Sequence, residues 1–140
     1  MAGKANYLEG ALLNHIFRTT ALTQPTTLHV GLFTAAPSDA GGGTEVTGNA
    51  YARATVARAD AQWNAPAGTP RSISNVNDLT FPTPSPAGWG TVTHFGIFDA
   101  AAPGGNLLYW AALSQSKVIN PGDTVKFTGG NPGQLTVQED

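Results

Sequence analysis

The stretch Trp89-Gly90-Thr91-Val92-Thr93-His94-Phe95-Gly96-Ile97-Phe98-Asp99 decides the fold. Its valine, threonine, isoleucine and phenylalanine side chains fit a pleated surface better than a helix. Simple alternation puts Val92 and Phe98 on one face and Phe95 and Ile97 on the other. A short run that is apolar on both faces and closed by Pro103-Gly104-Gly105 predicts a central buried strand. Most of it recurs upstream. His29-Val30-Gly31-Leu32-Phe33-Thr34-Ala35-Ala36 and His94-Phe95-Gly96-Ile97-Phe98-Asp99-Ala100-Ala101 share the pattern His-apolar-Gly-apolar-Phe-x-Ala-Ala. Each copy leads through a glycine-rich loop, Gly41-Gly42-Gly43 or Gly104-Gly105, to a tyrosine-bearing run at Tyr51 or Tyr109. Two copies are too few for a solenoid, so they read as two strand–loop–strand units of one β fold.

The remaining chain is built outward from these units. Its 140 residues suit one domain over 1–140, with an N-terminal helix at 6–20 and a β-sandwich at 26–138. Residues 1–5 are expected to be loose. Asn6 can cap a helix, with Glu9 three residues on as in a capping box. Leu8, Leu12 and Ile16, beside the row Leu13 and Phe17, then form a wide apolar stripe. Arg18 suits the last turn, and Pro25 prevents the helix from resuming. Beyond Pro25 the pattern is β throughout. Residues 36–49 read as a long loop, and strands are expected near Tyr51–Arg58, Ser72–Asn75, Asp78–Phe81, Leu107–Leu113, Lys117–Ile119, Thr124–Phe127 and Gln134–Val137. With about seven or eight short strands and glycine and proline between them, the class is all-β. The architecture is a jelly-roll-like antiparallel β-sandwich with one helix.

Composition narrows the function. Charged residues make up 11% of the chain, against about 25% in typical proteins. Such a surface suits a protein that lives within an assembly. The seven Lys and Arg residues are scattered, and net charge is −2, so no cluster exists to neutralise nucleic-acid phosphates. Cysteine is absent, which excludes disulfides and thiolate chemistry. No apolar run reaches the roughly 18 residues of a membrane helix. The N-terminus has no signal-peptide pattern.

No catalytic or metal constellation emerges from spacing. His29 and His94 hold matching places in the repeats, but no carboxylate accompanies both, since Asp99 is matched by Thr34. His15 belongs on the flank of the helix. Ser114, His94 and Asp99 contain the residue types of a triad without a nucleophile elbow. The carboxylates are dispersed, and the Gly41 run lacks the lysine and helix of a phosphate loop. Trp63, Trp89 and Trp110 admit a sugar-binding platform, although core packing is the commoner use of tryptophan. Gly31 and Gly96 read as positions that allow either a bulge or close packing by an aromatic ring. The expectation is no enzyme, no cofactor and no metal.

The runs Leu28–Asp39, Gly90–Ala100 and Gly105–Tyr109 resemble a family of small tailed-phage structural proteins. Its members are labelled tail-fibre or minor tail proteins. The same runs are similar to the cement (capsid decoration) proteins of Bordetella podophages. The resemblance extends from Tyr7 to Val137. It implies a jelly-roll-like sandwich, a place in the virion and no catalysis, and it carries over no binding residue. The expected function is capsid cement, made in the host cytoplasm. Its expected partners are the major capsid protein and further copies of itself, as a dimer or trimer, with no nucleic acid and no membrane. The alternatives are a tail or tail-fibre component and, in another class, a carbohydrate-binding module. The helix stripe Leu8, Leu12, Leu13, Ile16 and Phe17 is the expected partner interface, because burying each Leu or Ile is worth about 1.5–3 kcal/mol.

Overall fold

The computed structural model describes residues 3–139. In chain order the elements are β1 (Gly3–Lys4), α1 (Asn6–Phe17), β2 (Thr27–Ala35), β3 (Thr44–Glu45), β4 (Ala54–Ala57) and β5 (Ser72–Ser74). There follow β6 (Leu79–Thr80), β7 (Gly90–Phe98), β8 (Leu107–Ile119), β9 (Lys126–Phe127) and β10 (Thr136–Gln138). The protein is an all-β sandwich with one helix. The main sheet runs β1-β8-β7-β2-β3, with β4 also on β2, and is antiparallel in every pairing. Two small sheets, β5 with β10 and β6 with β9, cover one of its faces.

The two repeats are the centre of the main sheet and pair with each other. His29 lies opposite Phe98, Gly31 opposite Gly96, and Phe33 opposite His94. The shared pattern is centred on its glycine, so antiparallel pairing sets glycine against glycine and each histidine against the other copy's phenylalanine. The result is a local pseudo-two-fold axis between Gly31 and Gly96.

On one face Val30, Leu32, Phe95 and Ile97 pack against Leu79, Phe81, Trp89, Leu135 and Val137. On the other, Phe33 and Phe98 stack with ring centres 6.2 Å apart, beside Ala5 and Leu107. These rings explain the glycines. A Cβ on Gly96 would lie 2.8 Å from Leu107 Cδ1 and 3.0 Å from Phe33 Cε2. A Cβ on Gly31 would lie 2.7 Å from Glu45 Oε1. Gly31→Val and Gly96→Val are each expected to lower unfolding free energy by about 1–3 kcal/mol in urea titrations. Unchanged midpoints in both would show that the space is not needed.

Several sequence expectations change. Val92 joins Phe95 and Ile97 in the first cluster instead of sharing a face with Phe98. The reason is a bulge. His94 pairs with Ala112 and Val92 with Lys117, so Thr93 alone faces the four residues Leu113 to Ser116. One residue on β7 is thereby skipped and the alternation resets. The same bulge divides β8 at the place where two separate strands are expected. Residues 36–49 are also more ordered than a loop. Ser38 and Gly41 bridge each other, Thr44–Glu45 pairs with β2, and Val46 is core.

At the N-terminus, Gly3–Lys4 is a strand held by Trp110 and Tyr109, and not a loose tail. Residues 1–2 lie outside the described residues. The helix starts from Ala5 without a side-chain cap. Asn6 instead gives its backbone N–H to the carbonyl of Asp39, so a loop satisfies the donor that a capping side chain would have taken. The helix ends at Phe17, three residues short of the expected 20, because Arg18 is already extended and Thr19-Thr20 follow.

Candidate functional site

The helix leaves the body of the protein as it proceeds. Leu8 is buried and Leu12 half-buried, but Leu13, Ile16 and Phe17 are 59%, 67% and 77% exposed. The five stripe residues are therefore split. The first anchors α1, the second lies at the margin, and the last three face water in the single chain. A 12-residue helix is marginal alone, so its outer half depends on what the anchored half supplies.

Beneath this, polar side chains tie loops to strands. On the outer edge of β2, β4 pairs as far as Val30 and β3 begins at Phe33. The gap leaves the Leu32 N–H without a strand partner, and the Tyr51 hydroxyl accepts it at 2.9 Å. That hydroxyl donates in turn to Glu45 Oε1, also at 2.9 Å. Burial pushes the Tyr51 phenol above its ordinary value of 10.0, and the neighbouring Glu45 carboxylate adds to the effect. Tyr51→Phe orphans the Leu32 amide and is expected to cost about 1–3 kcal/mol in thermal or urea unfolding. A neutral substitution would mean that water replaces the hydroxyl.

Glu45 also holds Arg53. The guanidinium forms a two-pronged pair with both carboxylate oxygens at 2.8 Å and donates to the carbonyls of Ala100 and Gly104 at 2.9 Å. Its Cζ lies over the Phe98 ring, 3.4 Å from the ring centre. The Arg53 side chain is only 4% exposed. The pseudo-two-fold axis gives this place a counterpart. Glu45 opposes Phe33 as Leu107 opposes Phe98, so one half fills the space over its glycine with a carboxylate and the other with an aliphatic chain. Sequence reading left Arg53 among scattered cations. The available signal was Ala52-Arg53-Ala54, where small neighbours let a long side chain lie along the sheet.

A second tie closes the termini. Glu139 accepts hydrogen bonds from Lys4 and from the Tyr109 hydroxyl. Partial burial works against its charge, but these two donors hold its carboxyl below the ordinary value of 4.5. Asp78 is likewise lowered, by Lys126 first and then the Gly129 N–H. Burial and the Glu139 carboxylate raise the Tyr109 phenol. The signs give a stability plateau. A lowered carboxyl contributes stability above its unfolded value and loses it as pH falls through the folded one. A raised phenol holds its contribution below 10.0 and loses it at higher pH. Melting temperature is thus expected to fall below about pH 4.5 and again above about pH 10. Glu139→Gln and Tyr109→Phe should flatten the acid and alkaline limbs respectively, and unchanged limbs would remove these groups as the cause.

Asn75, 1% exposed, is a third tie. Its amide donates to the carbonyls of Asn77 and Phe127, and its oxygen accepts the Leu135 N–H. Asn64 and Ser74 bind the adjacent 130–133 turn, through the Gly130 carbonyl and the Gly133 N–H.

The residues weighed for chemistry fall apart in space. The strand register separates His29 from His94 by four residues, roughly 13 Å. His94 Nδ1 meets Thr93 Oγ1, and both carboxylate oxygens of Asp99 bind Asn106. His15 Nδ1 accepts the Leu22 N–H just beyond the helix. Trp89 is core, Trp63 packs against the first cluster, and Trp110 packs against the second on the opposite face of the sheet. Their indole N–H groups go to Asn49 O, Ala57 O and Asp39 Oδ1. The three tryptophans do not form one platform.

An open groove of about 630 Å³ lies beside the β8 bulge. Phe95, Phe127 and Val125 are on its apolar floor, and Ser114, Gln115 and Lys117 are among its polar lining residues. Among the described residues no helix is long and apolar enough to cross a membrane.

Buried polar ties that fix loops, together with an uncovered apolar helix face, define a structural scaffold. A family model described as podophage GP4 fiber I protein gp80 matches residues 3–138. The chain belongs to this family of podophage structural proteins and is a phage virion component. No curated protein matches the sequence.

Proposed function

We propose that the protein works by contact, without turnover, and docks to its neighbours through the outer stripe of α1. The exposure of Leu13, Ile16 and Phe17 carries this reading, since three large apolar side chains on one short helix are costly to leave in water. The family's description as a fibre protein supports a place in the tail-fibre apparatus. A second reading is capsid cement that contacts the major capsid protein. The similarity of the Leu28–Asp39 and Gly90–Ala100 runs to podophage cement proteins favours it.

One fractionation separates the two. Particles are treated so that tails detach, and the fractions are compared by gel. Recovery with tails in a few to dozens of copies supports the fibre reading, and recovery with shells in hundreds supports cement. Phe17→Asp should lower incorporation in either case, and full incorporation would remove α1 as the contact. Replacing His15, His29 and His94 together by alanine should leave infectivity intact where stability survives. Lost infectivity in a stable, fully incorporated variant would argue for chemistry at those residues.

A further inference from the structure

We propose that the apolar face of α1 seats in the groove beside β8 of a second copy of this chain, forming a head-to-tail contact. The inference rests on the reading of α1 as a contact face and adds its occupant. Glu9, Leu13, Ile16 and Phe17 stand at i, i+4, i+7 and i+8, so they form one stripe about 12 Å long. All four are exposed, and the Glu9 carboxylate has no hydrogen-bond partner among the described residues. The stripe is therefore apolar with one negative charge at its N-terminal end.

The groove has the opposite character. Its floor is aromatic and aliphatic, and its lining includes Lys117 and Lys126 but no carboxylate. Lys126 is paired with Asp78, whereas Lys117 is exposed and has no partner among the described residues. Ser114 and Gln115 lie in the bulge, where no β7 residue covers them one for one, and Lys117 follows it as the partner of Val92. A volume of about 630 Å³ is large enough for a few bulky side chains.

A copy does not fill its own groove, because Leu13, Ile16 and Phe17 remain exposed in the folded chain. The N-cap of α1, Ala5, sits in the Phe33–Phe98 cluster, whereas the groove is lined by Leu32, Val92 and Phe95 from the other face of the sheet. Hydrophobicity and charge are thus complementary between two surfaces that one chain carries apart. A contact joining unlike surfaces propagates from copy to copy, giving a ring where the rotation closes and a filament where it does not.

The test is self-association of the purified full chain, followed by sedimentation velocity from micromolar to millimolar concentration. Wild type is expected to associate reversibly. Phe17→Asp should weaken association by about tenfold or more, as loss of a buried aromatic anchor does. Glu9→Lys or Lys117→Glu should each weaken it by about threefold to fivefold, and the double variant should recover most of the loss. Ser114→Trp, which narrows the groove at an exposed position, should also reduce it. A wild type that stays monomeric throughout overturns the proposal. So does an association indifferent to Lys117→Glu and Ser114→Trp. If Phe17→Asp still impairs particle incorporation in those cases, α1 remains a contact face whose seat is another protein. If Phe17→Asp changes neither association nor incorporation, the contact-face reading fails as well.

Discussion

Arg53→Met should be among the most damaging single substitutions in this protein, with an expected loss of about 3–5 kcal/mol. Methionine keeps much of the stem that covers Phe98, so packing changes little. The electrostatics change completely. Glu45, whose side chain is 19% exposed, loses a two-pronged partner, and the carbonyls of Ala100 and Gly104 lose their donor. Most of the cost comes from the carboxylate left behind, so the second substitution is diagnostic. Glu45→Gln added to Arg53→Met should recover part of the stability, because it removes the stranded charge. Urea titrations of the four proteins measure the coupling. Loss of less than about 0.5 kcal/mol in Arg53→Met would mean that the pair is solvated in practice.

Asn75→Asp tests the other buried tie with an isosteric change. The amide's two donated bonds, to Asn77 O and Phe127 O, cannot both be kept, since an ionised carboxyl repels both carbonyls and a protonated one donates to only one. At a position 1% exposed, the expected loss at neutral pH is about 3–5 kcal/mol. The new carboxyl is held protonated in the fold, so its pKa is raised relative to the unfolded chain. Its penalty should therefore shrink as pH falls toward the unfolded value, where the unfolded chain also protonates. A variant whose deficit relative to wild type is the same at pH 7 and at about pH 4 would contradict this account. The nearby Gly133 shows how closely the tie is packed, since a Cβ there would lie 2.0 Å from Asn75 O.

The class of fold was legible because it depends on local pattern. The two central strands announced themselves through the shared His-x-Gly-x-Phe motif, and both are nine-residue strands, β2 and β7. The presence of α1 was legible for the same reason, through the i, i+4 spacing of Leu8, Leu12 and Ile16, although the fold buries only the first of these. Features that depend on distant partners were not. The Asn6 capping box lost to the carbonyl of Asp39, which a loop 33 residues on brings to the helix start (39 − 6). Period-2 counting puts Phe98 and Val92 on one face because it cannot see a bulge made by the partner strand. Arg53, Tyr51 and Asn75 were missed because a buried polar residue looks like a surface one until its partner is known. Glu45 is one of two acids, with Asp39, in a loop-like stretch, and nothing near it in sequence names Arg53.

The bulge opposite Thr93 has a further consequence for the life of the protein before assembly. A virion component has to remain unpolymerised until its partners are present. A long, regular outer strand would then be a template for uncontrolled polymerisation through main-chain hydrogen bonds. Here β8 is that outer strand beyond the two residues covered by β1, and its run is broken by Leu113–Ser116 and followed by Lys117. An interrupted, charged rim is a poor template for backbone pairing. Recognition is left to side chains, which can require the right neighbour before they engage.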